Sequence, residues 1–159
     1  MIGVLIRAVT YAALFIALVL IYLPAQALSW AGVSRPERLG PPQLIGIVVS
    51  LIGAAIAVWC ILSFVVLGRG TPAPFDPPRR LVVRGPYKYV RNPMYLGAGL
   101  ALAGAAFFYQ SHALFAYAVL FLLAMHAFVI WYEEPTLGRT FGEDYEAYRR
   151  QVHRWWPRL

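Results

Sequence analysis

The sequence is poor in charge. Only 13% of its 159 residues are Asp, Glu, Lys or Arg, against 60% hydrophobic ones. A soluble domain carries roughly 25% charged residues, and a chain this short still exposes much of its surface. Twenty-one charged side chains, 14 basic and 7 acidic, cannot cover that surface. A soluble globule is therefore excluded. So is a disordered chain, which needs low hydrophobicity. Cysteine is nearly absent: Cys60 alone excludes an intrachain disulfide or a cysteine-based metal site and reads as a small buried hydrophobe. The three histidines, His112, His126 and His153, are scattered, with no metal-ligand spacing. No phosphate loop of the Walker type and no dinucleotide fingerprint after a strand occurs.

What is present is long apolar runs. Four stand out: Ala8 to Leu28, Leu44 to Leu67, Met94 to Tyr109 and Ala113 to Tyr132. A bilayer core of about 30 Å takes about 20 helical residues. The third run is short, but Pro93 and Gln110-Ser111-His112 bound it, so it reads as a helical hairpin with the fourth. Ala25-Gln26-Ala27 has the look of a leader cleavage site, but the apolar run before it is longer than the ~7–15 residues of a leader's core. Four spans are expected.

The basic residues orient those spans. Arg7, Arg69, Arg79, Arg80, Arg84, Lys88, Arg91, Arg139, Arg149, Arg150, Arg154 and Arg158 all fall on one side, and only Arg35 and Arg38 on the other. By the positive-inside rule both termini are cytoplasmic. The expected fold class is all-α: one polytopic membrane domain over 1–159. Its parts are a two-helix hairpin (1–67), then a loop, a second hairpin and an amphipathic C-terminal helix (68–159). The excess charge of +7 then points to the membrane surface and not to nucleic acid.

Local signals fill in the connections. Pro72, Pro74, Pro77 and Pro78 forbid a regular helix in the long loop. Leu81-Val82-Val83 is a short extended candidate, and Gly85-Pro86 a turn. Asn92-Pro93 reads as N-cap and first residue of the third helix. Gly97, Ala101 and Ala105, with Gly99 and Ala103 beside them, and Gly53 with Ala57 on the second run, are spaced for close helix packing. After the fourth run, Thr140 and Glu143 form a capping-box pattern. Phe141, Tyr145, Tyr148, Val152 and Trp155 then share one helical face, a helix suited to lie on the bilayer. His126, inside a span, is expected to hydrogen-bond to a neighbouring helix.

Polar residues gather where the chain meets the cytoplasmic side. Arg91, Asn92 and Tyr95 surround a helix N-terminus, which attracts anions. Glu133 and Glu134 lie at the matching end of the fourth run. They would either begin a new helix at Pro135, pair with the basic loop, or furnish local negative charge to a site. An anionic pole facing a cationic one suits a ligand with a carboxylate and a cationic centre, such as S-adenosylmethionine.

Two linked motifs carry a resemblance. Gly85-Pro86-Tyr87, Val90-Arg91-Asn92-Pro93-Met94-Tyr95-Leu96-Gly97 is similar to the R-H-P-x-Y-x-G signature of isoprenylcysteine carboxyl methyltransferases and the related phospholipid methyltransferases. Glu133-Glu134, Leu137, Phe141-Gly142, Tyr145, Tyr148, Val152, Arg154-Trp155 and Pro157 resemble the tail of the same family. The resemblance spans residues 68–158. It implies an integral membrane methyltransferase using S-adenosylmethionine on a lipophilic acceptor. It further implies a cofactor site of Tyr87, Val90, Arg91, Asn92, Pro93, Tyr95, Gly97, Glu133, Glu134 and Leu137, with Glu134 and Arg91 as the catalytic pair. Asn92 departs from the pattern, standing where the signature has histidine; it can donate and accept hydrogen bonds but cannot serve as an imidazole base. An NADPH-dependent membrane reductase of the sterol-reductase type shares a similar R-x-P-x-Y segment and is the competing enzyme class, although the tail favours the methyltransferases. A non-catalytic membrane scaffold is the third reading. The single Lys among 14 cations and the richness in Arg and Ala suggest a bacterial cytoplasmic membrane.

Overall fold

The computed structural model describes residues 2–68, 71 and 79–157. Arg69, Pro72, Pro74, Pro77, Pro78 and Arg158 lie outside the described residues. The chain forms an all-helical bundle: α1 (Ile2–Trp30), α2 (Pro41–Gly68), α3 (Pro93–Tyr109), α4 (His112–Phe141) and a short α5 (Glu143–Gln151). A 3₁₀ turn (Gly85–Lys88) lies in the connection before α3. Helices α1, α2 and α4 are each long and apolar enough to cross a membrane, and α3 is the shorter apolar helix. Their outward faces are oily: Leu51, Leu62, Leu120 and Leu123 are exposed, and Trp30 and Trp131 are at least 80% so. Such a surface is stable only in lipid, so the bundle is that of an integral membrane protein.

Helices α2 and α3 form the tightest pair. Gly53 sits against the backbone of Gly97 and Ala101, and Gly46 against that of Gly104 and Phe108. A Cβ on Gly46 would come within 2.6 Å of the Gly104 carbonyl, and one on Gly97 within 2.8 Å of the Gly53 carbonyl. The four-residue spacing of small residues thus does what it predicts. Close backbone approach replaces the hydrophobic drive that lipid removes. Polar side chains reinforce the contact: Ser50 Oγ donates to the Ala101 carbonyl (3.2 Å) and Gln43 Nε2 to the Phe108 carbonyl (3.2 Å). The opposite face of α3 meets α4, where Gly99 admits the Leu122 side chain. Ala98, Leu102, Ala118 and Phe121 make a core that Phe15, Val19 and Leu20 of α1 cover.

Two helices widen into π turns just before a proline: Ile16–Tyr22 ahead of Pro24, and Val129–Glu133 ahead of Pro135. Proline has no N–H and its ring crowds the preceding turn, so the ladder shifts to i−5. Leu23 N–H donates to Leu18 O in that register. The next bond would run from Pro24 to Val19 O and cannot form. Tyr117 of α4 supplies the missing donor, its hydroxyl lying 2.8 Å from Val19 O. A proline-induced defect in α1 therefore becomes an interhelical hydrogen bond.

Three local expectations are corrected. Thr140 does not cap a new helix: its hydroxyl donates to Thr136 O within the last turn of α4. The break comes instead at Gly142 (φ 52°), a backbone angle that favours glycine. The amphipathic segment is then the nine residues of α5 alone, and Val152 is already extended. Pro135 does not start a separate helix, because the π turn absorbs it and α4 runs on to Phe141.

Gly53→Leu should lower stability by about 2–3 kcal/mol, since the backbone opposite cannot retreat. Gly3→Leu, at an open position, should leave the melting temperature in detergent unchanged. Tyr117→Phe should cost about 1 kcal/mol by the same measurement.

Candidate functional site

Where α4 leaves the bundle, four chain segments meet: the 85–92 loop, the start of α3, the end of α4 and the tail after α5. The loop is held from below. Gly85, at φ 64°, turns it over Trp59 and Ser63 of α2. Tyr87 is buried against Cys60 and stands edge-on to Phe64, with ring centroids 5.3 Å apart. From above, the Tyr148 hydroxyl donates to the Tyr87 carbonyl at 2.7 Å. Burial pushes both phenols above their ordinary value, so they are neutral hydrogen-bond groups at physiological pH. Tyr145, Tyr148 and Val152 form a second small core with Leu81, Leu137 and Phe141. The apolar face read from the tail spacing therefore turns inward and clamps the loop instead of lying on lipid.

On this support sits a carboxylate between two guanidiniums. Glu134 accepts two bonds from Arg154, Nε to Oε1 (2.8 Å) and Nη2 to Oε2 (2.9 Å). Arg91 Nη2 also approaches Oε1 at 2.9 Å. The forked geometry suits arginine over lysine. Glu134 raises the Arg154 guanidinium above its ordinary value, so that charge is permanent. The tail backbone closes the arrangement. Arg91 N–H donates to His153 O (2.9 Å), and Asn92 Nδ2 to Arg154 O (3.3 Å). Asn92 does precede α3, with Pro93 its first residue, but the Asn92 side chain makes no cap bond. It is spent on the tail.

Arg91 is not fully satisfied. Its side chain is 9% exposed, yet Nε and Nη1 are buried and meet no hydrogen-bond partner among the described residues. Buried donors of a cation left unpaired are costly. An anionic group placed against them would complete their hydrogen bonding. The other glutamate lies in the opposite situation. Glu133 Oε2 accepts from the Tyr95 hydroxyl at 2.9 Å, so its partner is neutral. One site thus holds an arginine seeking an anion and a carboxylate whose partner carries no charge.

The expected site residues divide on these contacts. Arg91, Asn92, Tyr95, Glu133 and Glu134 are brought together. Tyr87, Val90 and Pro93 shape the loop and the helix start: Tyr87 and Val90 are buried, and Pro93 opens α3. Leu137 packs on the α5 core, and Gly97 on α2. Arg154 joins the cluster although it was expected only as part of a tail motif. Twenty residues and a helix break separate it from Glu134, so no periodicity in the sequence pairs them. The Trp155 indole donates to His126 Nδ1 at 2.9 Å, which supplies the partner that the intraspan histidine requires, from the tail and not from a neighbouring helix.

The chain is thus an all-helical membrane bundle with a paired-charge cluster at one end of α4. Residues 42–144 match the phospholipid methyltransferase family, and the chain belongs to that family. No curated protein and no solved structure matches the chain. The matched region contains α2, the loop, α3 and α4; α1 and the tail that carries Arg154 lie beyond it.

Glu134→Gln should destabilise the protein by about 3 kcal/mol, because it leaves the buried Arg91 guanidinium without its carboxylate, while the more exposed Arg154 can turn to water. Arg154→Met should cost less, since Arg91 still neutralises Glu134. Thermal unfolding in detergent, read from the tail tryptophans, ranks the two.

Proposed function

We propose that the protein transfers a methyl group from S-adenosylmethionine to the polar head of a lipophilic acceptor, at a site on the cytoplasmic face of the membrane. The observation that carries the reading is the pair of buried, unpartnered donors on Arg91, set beside a glutamate whose partner is neutral. Family membership supports it. The residues fit a zwitterionic cofactor with a carboxylate and cationic centres.

When bound, S-adenosylmethionine would supply an electrophilic methyl group on a sulfonium. The protein's part is placement, which is the larger share of such a reaction. Arg91 Nε and Nη1 would hold the carboxylate, and Glu133 would balance the positive charge. Glu134 and Arg154 do not touch the ligand; they fix the Arg91 guanidinium so that its free edge stays turned to the site. That revises the catalytic pair of Glu134 and Arg91: Arg91 binds, Glu134 positions. The chemistry supplied by the cofactor would be methyl donation to the acceptor heteroatom, its sulfur keeping the electron pair of the bond given up. A carboxylate acceptor loses no proton. An amine acceptor does, and Glu133 is the base that takes it, since Asn92 has no imidazole and is held by the tail. The cytoplasmic orientation rests on the 12 of 14 cations placed on that side.

Calorimetric titration with S-adenosylhomocysteine in detergent tests the reading. Wild type should bind. Arg91→Met should weaken binding by about 10–100-fold, the range for a hydrogen bond to a charged group, and Glu133→Gln by about tenfold. Binding of NADPH in place of S-adenosylhomocysteine would assign the site to a reductase. Unchanged affinity in Arg91→Met would remove the argument from its unpaired donors.

A further inference from the structure

His126 is a polar side chain on an apolar helix, and the site described above does not use it. Its Nδ1 accepts a hydrogen bond from Trp155 Nε1 at 2.9 Å, with the rings 5.8 Å apart and inclined by 37°. A neutral imidazole that accepts at Nδ1 carries its proton at Nε2. The Trp155 contact therefore fixes the tautomer and turns a second donor outward. Among the described residues no partner meets that Nε2–H. The ring is only partly covered, and its surroundings on α4 are apolar.

The position of this donor is informative. Consecutive tail residues hold two points of α4, Arg154 at Glu134 and Trp155 at His126. Both points thus lie on the tail side of α4. Eight residues separate them, about 12 Å along the axis at 1.5 Å per residue. His126 lies that far toward the bilayer interior from the charged cluster. A free N–H at such a depth is costly in hydrocarbon and calls for an oxygen acceptor brought by an amphiphile. A molecule whose head reaches the cluster from the bilayer would pass His126 with its linkage region.

We propose that His126 is a specificity-determining residue for the acceptor: its Nε2–H donates to an ester carbonyl or phosphate oxygen of a phospholipid whose head lies at the Arg91–Glu133 site. Trp155 acts through it as a positioning residue by holding the tautomer. The inference rests on the methyltransferase reading for the identity of the site, but the His126 contact is measurable without turnover.

The test uses the full chain with ¹⁵N-labelled imidazoles in dodecyl maltoside, titrated with dioleoyl phosphatidylethanolamine, its diether analogue or dioleoyl phosphatidylglycerol. Three histidines make the spectrum readable, and His126→Gln identifies the His126 signals by their loss. Nδ1 should be unprotonated and Nε2 protonated. The Nε2–H signal should move saturably with phosphatidylethanolamine. A diether lipid that no longer moves it assigns the bond to the ester carbonyl; one that still does assigns it to the phosphate. No movement with any lipid overturns the proposal. So does an equal, non-saturating drift with all three, which would mark bulk lipid contact only.

The second readout is methyl incorporation from labelled S-adenosylmethionine into phosphatidylethanolamine vesicles. His126→Leu should raise KM for the lipid by about tenfold, the worth of one hydrogen bond, with kcat and S-adenosylhomocysteine affinity held within about twofold. His126→Gln, which can both accept from Trp155 and donate outward, should restore most of the loss. A fall in kcat and cofactor affinity with unchanged KM would make His126 only a tail anchor and overturn the proposal. A wild type that does not bind S-adenosylhomocysteine would instead overturn the methyltransferase reading, and the lipid titration would still decide His126.

Discussion

The Glu134 carboxylate, largely taken out of water, is held by two cations. The Arg91–Glu134–Arg154 bridge ties the loop before α3 to the end of α4 and to the tail beyond α5. Two of these segments, the loop and the tail, have little regular structure of their own. The loop holds one 3₁₀ turn, and the tail is non-helical after Gln151. Both acquire fixed positions because two charges on them share one anion. The surrounding contacts follow: Asn92 and the Arg91 backbone bond to tail carbonyls, Tyr148 bonds to the loop, and Trp155 reaches His126.

This bridge also sorts the two glutamates. Adjacent carboxylates at one helix end look interchangeable, yet the π turn before Pro135 sets their directions. Glu134 faces two arginines, while Glu133 faces a neutral tyrosine hydroxyl. Glu134 is committed to the bridge, and Glu133 is held by a neutral group. Arg91 shares in the first arrangement and exceeds it, since one nitrogen closes the bridge and two have no acceptor among the described residues. The cluster is therefore complete in its ion pairs and incomplete in its hydrogen bonding.

Proline and glycine do unusual work for a membrane bundle. Pro24 and Pro135 widen their helices, and the bundle absorbs both defects. Tyr117 bonds to the carbonyl that Pro24 leaves open. The glycines of α2 and α3 let two backbones touch and so fix α3, whose first turn carries Tyr95. Packing in the lipid phase thereby sets the geometry of chemistry at its border.

The sequence by itself determined the class. Scarce charge and long apolar runs are local properties, and they dictated where the helices lie, although α1 begins before its run, at Ile2, and α4 continues past its run to Phe141. The glycine spacing on α2 and α3 carried their contact because helical periodicity maps spacing onto a face. The gathering of polar residues near Arg91 and Glu133 was legible for the same reason, as were the linked motifs. Only the tertiary structure decided which charges pair. Arg154 and Glu134, or Trp155 and His126, are joined across a helix break whose turn no periodicity encodes. The direction of the α5 face was equally hidden: the same spacing of Tyr145, Tyr148 and Val152 serves a bilayer surface or a protein core. The choice fell to the core because the loop offered Leu81 and the Tyr87 carbonyl as partners that lipid does not provide.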